Sequence, residues 1–165
     1  MNSRTPHISI KNPSNEVTIA WMSKFAHKDK KNLDIRRRVE KILANVEPGD
    51  YASEVLSIYY WVCQNIRYLR DITDIEFLKQ PYVTMQTKSG DCDDIACLIA
   101  AMLLSCGNQC RFVMIDISGS KPPRYSHVLA QAKTPKGNWI TLDPVAGKNT
   151  AQMVRRTTAH KAFIV

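Results

Sequence analysis

One cysteine in the sequence occupies a position that suits nucleophilic chemistry. Cys92 stands in the segment SGDCDD (residues 89–94), at the predicted start of an apolar helix. The first N–H groups of a helix have no partner within it, and with the positive end of the helix dipole they favour a thiolate over a thiol. The same N–H groups can hold a developing oxyanion. Asp93 and Asp94 oppose the thiolate by like charge, so a general base close to Cys92 is required.

A histidine and an aspartate later in the chain are the best candidates to complete this chemistry. His127 lies on a predicted strand, residues 125–132, and Asp143 ends the next predicted strand, residues 138–142. If the two strands are antiparallel neighbours, the two side chains come within hydrogen-bonding reach. The sequence then contains a nucleophile, a general base and a group that orients the base, in the secondary-structure contexts that acyl transfer through Cys92 requires.

Three sequence blocks together resemble the transglutaminase-like superfamily of cysteine proteases, in particular its short bacterial and bacteriophage members. The blocks are GDCDD at 90–94, SHV at 126–128 and WITLDP at 139–144, and the resemblance extends over about residues 58–147. It implies an α+β fold of the papain-like, transglutaminase-like type. In this fold N-terminal helices come first, and the helix that carries the nucleophile packs on a small antiparallel β-sheet.

The resemblance also implies roles for individual residues. Cys92 is then the nucleophile, His127 the general base and acid, and Asp143 the group that orients His127. The family further suggests a side chain that completes the oxyanion hole. Gln86 is the candidate, because it lies six residues before Cys92, the spacing of the corresponding glutamine in papain-like enzymes.

The expected activity is thiol-dependent acyl transfer on protein or peptide amides through a thioester. Water as the acceptor makes the protein a cysteine protease or deamidase, whereas a lysine amine makes it a cross-linking transglutaminase. Hydrolysis is preferred, because the chain has no room for the extra domains of the large cross-linking enzymes. The spacing of Asp91, Asp93 and Asp94 is not that of a calcium loop, so no metal or other cofactor is expected.

The elements that position these residues follow from the periodicity of the apolar side chains. Three helices are predicted, over about residues 34–46, 50–68 and 91–105. Three strands follow, over about residues 111–117, 125–132 and 138–142. The mixed segment 71–90, which contains Pro81, is predicted to be a loop. Helices followed by a small antiparallel sheet indicate an α+β domain.

Length and composition indicate a single domain. The chain has 165 residues, of which 44% are hydrophobic, and its longest uncharged apolar run, residues 95–104, is about half of what a bilayer requires. Residues 1–16 are expected to be poorly ordered, residues 17–147 to form the catalytic domain, and residues 148–165 to form a basic tail. Without a recognisable signal peptide the expected location is the cytoplasm, which is the host's if a phage encodes the protein; association with a virion is an alternative. The five cysteines are expected to be reduced thiols.

The net charge of +8 is concentrated in two flanking segments. Residues 24–41 contain eight lysines and arginines against three acids, and residues 148–165 contain four and none. These segments suit an acidic partner, while no recognisable nucleic-acid-binding motif is present and no membrane partner is expected. Three alternatives stay open: a non-catalytic phage assembly or host-interaction protein on the same fold, a nucleic-acid-binding protein, and a metalloprotein that uses Cys92, His127 and nearby aspartates.

Overall fold

The computed structural model describes residues 7–10, 14–70, 76–116, 118, 121, 125–145 and 160–165. The helices are α1 (Asn15–Asp29), α2 (Leu33–Leu43), α3 (Tyr51–Asn65), α4 (Pro81–Thr87) and α5 (Cys92–Ser105). The strands are β1 (His7–Ile10), β2 (Arg67–Tyr68), β3 (Glu76–Lys79), β4 (Ser89–Gly90), β5 (Cys110–Ile115), β6 (His127–Lys133), β7 (Trp139–Leu142) and β8 (His160–Ile164). Among the described residues, no helix is long and apolar enough to span a membrane, and all five cysteines are free thiols.

Helix α5 forms the centre of the hydrophobic core. Every residue from Asp93 to Leu103 is buried, because the helix is apolar on nearly all sides. It contacts α1, α2, α3 and α4 on its helical side and β5 and β6 on its sheet side. Leu98, Ile99 and Met102 are fully buried between these layers. Any group at the first residue of α5 is therefore held on a rigid element.

The main sheet is antiparallel and has the strand order β7-β6-β5-β8. Strand β6 pairs with β7 in a register that places Ala130 opposite Leu142. If this register is extended, Asp143 lies diagonally across from His127 on the same face of the sheet. The two smaller sheets are β1 with β3, which are antiparallel, and β2 with β4, which are parallel.

Segment 71–90, predicted to be a loop, contains a helix in its second half. Pro81 is the first residue of α4, where its missing N–H costs nothing. The preceding Gln80 makes no capping bond with its side chain. Instead the carboxylate of Asp29, at the end of α1, accepts a hydrogen bond from the Tyr82 backbone N–H at 3.0 Å. A residue 53 positions away therefore caps this helix, which local sequence patterns do not reveal.

The helix boundaries differ from the predicted ones where a neighbouring element takes over. Helix α2 begins at Leu33 because the Asn32 side chain, rather than Asp34, accepts the N-terminal hydrogen bonds. Helix α3 ends at Asn65 rather than near residue 68, because the chain then turns into β2 and pairs with β4.

Segments near both ends of the chain form strands. Residues 7–10 form β1 on β3, and residues 160–164 form β8 at the edge of the main sheet, beside β5. The remainder of the predicted tail, residues 148–159, lies outside the described residues.

Candidate active site

Cys92 is the first residue of α5, as predicted. The Asp91 side chain caps the helix by accepting a hydrogen bond from the Asp94 backbone N–H at 3.3 Å. Cys92 is half-buried, so its thiol is held by the helix and is still accessible. Its backbone N–H belongs to the first turn, in which N–H groups have no partner within the helix.

Gly90 permits the close approach of β4 to the first turn of α5. A Cβ atom at this position would lie 2.6 Å from the Asp94 Cβ, a separation that real side chains essentially never show. The Asp94 side chain cannot easily give way, since it is fully buried and accepts a hydrogen bond from the Lys79 backbone N–H at 2.7 Å.

We therefore expect Gly90→Ala to destabilise the fold by about 2–3 kcal/mol, the range typical of an overpacked core. Urea denaturation measures the change. Ser89→Ala, in the same strand, is the control and should change the free energy of unfolding by no more than about 0.5 kcal/mol. Equal stabilities for the two variants would contradict the proposed steric role of Gly90.

His127 and Asp143 are joined by a short hydrogen bond. Their Nε2 and Oδ2 atoms are 2.7 Å apart, and the two side chains are 5% and 3% exposed. The other carboxylate oxygen of Asp143 accepts a hydrogen bond from the Val145 backbone N–H at 3.0 Å. Both carboxylate oxygens of Asp143 are thus held in place, and the hydrogen bond to Nε2 orients the His127 imidazole.

Cys92 lies close enough to the His127 ring to influence its pKa. Since Nε2 already faces Asp143, the nitrogen available to Cys92 is Nδ1. Burial by itself lowers the pKa of His127, but the hydrogen bonds and negative charges of Asp143 and Cys92 outweigh it and raise this pKa to about 9. His127 is therefore a cation at neutral pH, and it faces a sulfur atom.

A tyrosine from a different helix anchors the segment that carries Asp143. The Tyr59 hydroxyl, on α3, donates a hydrogen bond to the Asp143 backbone carbonyl at 3.1 Å. Tyr59 packs partly buried against the core, and α3 contacts α5. The helical layer and the sheet are thus linked at the aspartate. No spacing pattern in the sequence relates these two residues, which lie 84 positions apart.

Three carboxylates cluster around the first turn of α5. Single oxygen atoms of Asp91, Asp93 and Asp94 lie within 4.8 Å of one another. Asp91 caps the helix, while Asp94 forms an ion pair with Lys79. Burial and the charge of Asp91 raise the pKa of Asp94 to about 6, against the lowering effect of Lys79. The capping bond of Asp91 and the ion pair of Asp94 thus hold the start of α5 in place.

Tyr68 lies next to the strand that leads into α5, although no sequence pattern identifies it. It pairs with Gly90 in the parallel β2–β4 contact, and its side chain is 45% exposed. Burial raises the pKa of its phenol, and the charges of Cys92 and Asp91 raise this pKa further. The only sequence signal is its place at the end of a predicted helix.

The structure does not bring Gln86 to the other three predicted residues. Gln86 is exposed on α4 and lines a cavity that faces α2, and Cys92 is not among the residues lining it. The phase of the helix explains this placement, because Thr84 is fully buried and two further residues turn a helix by about 200°.

The chain belongs to the transglutaminase-like superfamily, whose profile matches residues 36–144. No curated protein matches the sequence significantly. Among solved structures, the chain is similar to a protein from Cytophaga hutchinsonii that is provisionally described as a cysteine protease, with a TM-score of 0.56 and 18% identity over 95% of this chain. It is also similar to a provisionally described protease from Parabacteroides distasonis ATCC 8503, with a TM-score of 0.62 and 14% identity over 79% of this chain.

This chain spans only 58% and 26% of the lengths of those two proteins. At these identities the likeness shows a shared fold. The family match and the architecture confirm the predicted α+β fold of the papain-like, transglutaminase-like type.

Proposed function

We propose that this protein hydrolyses amide bonds of proteins or peptides, with Cys92 as nucleophile, His127 as general acid and base, and Asp143 as the group that orients His127. The observation that carries the proposal is the buried hydrogen bond between His127 and Asp143, 2.7 Å long, together with a cysteine at the start of α5 that is close enough to raise the pKa of His127. Membership in the transglutaminase-like superfamily supports the same chemistry.

In the first half of the reaction, the Cys92 thiolate attacks the amide carbonyl carbon and forms a C–S bond. The carbonyl electron pair moves onto oxygen, and the backbone N–H of Cys92 donates a hydrogen bond to that oxyanion. The His127 cation then gives its proton to the amide nitrogen. The C–N bond breaks, the amine leaves, and a thioester on Cys92 remains.

In the second half, neutral His127 takes a proton from water, and the resulting hydroxide attacks the thioester carbonyl. The C–S bond breaks, the carboxylic acid is released, and Cys92 returns as a thiolate beside protonated His127. Asp143 holds the imidazole through both halves and stabilises its charged form. The same thioester would transfer its acyl group to a lysine if an amine replaced water, which makes transamidation the alternative outcome.

The proposal is tested by incubating the protein with a proteome-derived peptide mixture in heavy-oxygen water and reading the products by mass spectrometry. A protease yields new carboxyl termini that carry the label, and a deamidase converts glutamine to labelled glutamate. Added amine that is incorporated instead of the label indicates transamidation. Cys92→Ala is the control. Products that persist in this variant, or no product from either protein, would contradict the proposal.

Tyr68 is proposed as a second donor to the oxyanion, because it pairs with Gly90, two residues before Cys92. Removing one such donor costs about a hundredfold in kcat. We therefore expect Tyr68→Phe to lower kcat by about that factor with little change in KM and no change in stability. Tyr60→Phe is the matched control, since Tyr60 is 58% exposed on α3. A change confined to KM would instead indicate that Tyr68 contacts the substrate only.

A further inference from the structure

Basic side chains converge on a cavity that the proposed chemistry does not use. The cavity has a volume of about 420 Å³ and lies between α2 and the C-terminal end of α4. Its cationic lining consists of Arg37, Arg38 and Lys41 from α2 and Lys88 from the end of α4, against one acid, Asp34. Three positive charges are thus in excess within a small concave space.

The three cations of α2 face the cavity because of the helical repeat. Positions 34, 37, 38 and 41 follow the spacing i, i+3, i+4 and i+7, which forms one stripe on a helix. The buried residues Ile35 and Val39 hold the adjacent stripe against the core. The orientation of the basic stripe is thereby set by packing.

These positive charges have no counter-ion within the described parts of the chain. None of Arg37, Arg38, Lys41 and Lys88 has a carboxylate within 4.0 Å there, so Asp34 forms no ion pair with them. The guanidinium of Arg38 lies over the Trp61 ring, 5.2 Å from its centroid, which helps to hold it in place. This group of positive charges is arranged in a way that suits the binding of a negatively charged ligand.

Lys88 has a backbone conformation that glycine adopts more readily. Its φ of 54° lies in the left-handed region, and Lys88 is the only non-glycine described residue with a positive φ. A lysine at this helix end costs conformational energy that a glycine would avoid. It supplies in return the one ammonium group on the α4 side of the cavity.

The chain leads from the cavity lining to the thiol within four residues. The Lys88 carbonyl accepts a hydrogen bond from the Arg67 backbone N–H at 2.9 Å. The chain then forms β4, which pairs with β2 at Tyr68, and reaches Cys92 four residues after Lys88.

We propose that this cavity binds carboxylate side chains of an acidic peptide or protein segment, and so presents a neighbouring amide to Cys92; the second part rests on the proposed function. Arginine guanidinium groups match carboxylates in a bidentate geometry. The lining also includes Met85 and Gln86, which offer an apolar surface and an amide to a peptide.

The test is a binding measurement on the Cys92→Ala protein, which removes turnover. The probes are a fluorescently labelled oligo-glutamate peptide and an oligo-glutamine peptide of equal length, followed by fluorescence anisotropy. We expect the glutamate peptide to bind at least about tenfold more tightly, because charge-assisted hydrogen bonds distinguish the two. In that background, Arg37→Glu with Lys41→Glu should remove this preference. The matched control, Lys133→Glu with Lys136→Glu, makes the same change in net charge at the β6–β7 turn and should keep the preference.

Three results would overturn the proposal. Equal binding of the two peptides would show that the cavity does not recognise carboxylates. Equal losses in the two double variants would show that only net charge matters. A single-stranded oligonucleotide that binds more tightly than the glutamate peptide, and depends on Arg37 and Lys41, would make the site one for nucleic acid.

Lys88→Gly, also in the Cys92→Ala background, separates the side chain from the backbone. It should weaken glutamate binding while making the fold no less stable, since glycine suits the left-handed conformation. Unchanged affinity would remove Lys88 from the site.

Failure of this proposal and failure of the proposed function are distinguishable. Alkylation of Cys92 in the unmodified protein reports on the thiol without any peptide. A reactive Cys92 with no glutamate preference contradicts the cavity proposal only. An inert Cys92 with a cavity-dependent preference contradicts the catalytic proposal, and with it the presentation of an amide to Cys92.

Discussion

Replacing His127 by alanine will slow the alkylation of Cys92 at about pH 6 by about a hundredfold, the lower end of the usual contribution of a general base. Replacing Cys92 by alanine will remove amide hydrolysis, with a loss of about 10⁴-fold or more. The first variant loses the imidazole beside the sulfur; the pKa of this imidazole is raised to about 9, so that it is a cation at pH 6. The second variant loses the nucleophile itself.

The measurement is mass spectrometry of each cysteine after brief treatment with iodoacetamide over a range of pH. The other cysteines are internal references. Cys63 is exposed as a residue, yet its thiol is partly buried, and this burial raises the pKa of the thiol. Cys97 and Cys110 are buried, and burial raises the pKa of both thiols. Cys92 should therefore react first, and only Cys92 should respond to the loss of His127. Reaction of Cys92 no faster than Cys63, in both proteins, would contradict the catalytic assignment.

The pH dependence of acylation has a definite direction. His127 must carry a proton to give to the leaving amine, and it loses this proton as the pH rises through about 9. The same shift contributes to the stability of the fold. Because the folded pKa lies above the ordinary value of 6.5, this contribution is fully present below that pH and is lost as the pH rises through about 9.

Replacing Lys79 by methionine will destabilise the fold by about 3–5 kcal/mol near pH 8, since it leaves the Asp94 carboxylate buried without its ammonium partner. Asp94 is fully buried and Lys79 is 24% exposed. The Lys79 backbone N–H still donates a hydrogen bond to Asp94 in the variant, so the aspartate keeps one partner. Methionine retains most of the apolar stem of the lysine, which limits the change to the charge.

The destabilisation by Lys79→Met depends on pH in a way that a packing defect would not. Burial already raises the pKa of Asp94 from 3.8 to about 6. Removal of the ammonium group raises this pKa further. A folded pKa above the unfolded value means that the contribution to stability is present at low pH and is lost as the pH rises. The deficit of the variant should thus be larger near pH 8 than near pH 5.

Urea denaturation at the two pH values measures this deficit. Lys161→Met is the matched control, because it breaks the exposed ion pair with Glu16, whose N···O distance is 3.3 Å, and should cost no more than about 1 kcal/mol at either pH. The same deficit at both pH values, or one no larger than that of the control, would contradict the assignment of Lys79 as the partner of a buried charge.

Local sequence patterns were sufficient for the elements that carry Cys92, His127 and Asp143. An acidic N-cap before an apolar run predicts where α5 begins, since a helix start is decided by hydrogen bonds within one turn. Two strand-forming segments joined by a short turn predict β6 and β7. Their antiparallel pairing places His127, at the start of β6, near Asp143, which follows β7. The fold class follows from the same signals, because helices come before the sheet.

Contacts between distant segments were not accessible in this way. The pairing of β8 with β5 and of β1 with β3 joins segments near the chain ends to strands far away in sequence. The parallel contact that pairs Tyr68 with Gly90 leaves no periodic signal, since each strand has two residues. The prediction for Gln86 depended on a spacing of six residues from Cys92. Such a spacing indicates that two residues are close in space only when the backbone between them is known.

The sequence by itself thus determined the reactive groups and the short elements that hold them, because these depend on interactions between residues close along the chain. Only the tertiary structure decided which groups meet. The Lys79–Asp94 pair, the Tyr59 anchor and the basic cavity between α2 and α4 each depend on how helices and strands pack. Packing is set by the shape and burial of many side chains at once, which no local spacing encodes.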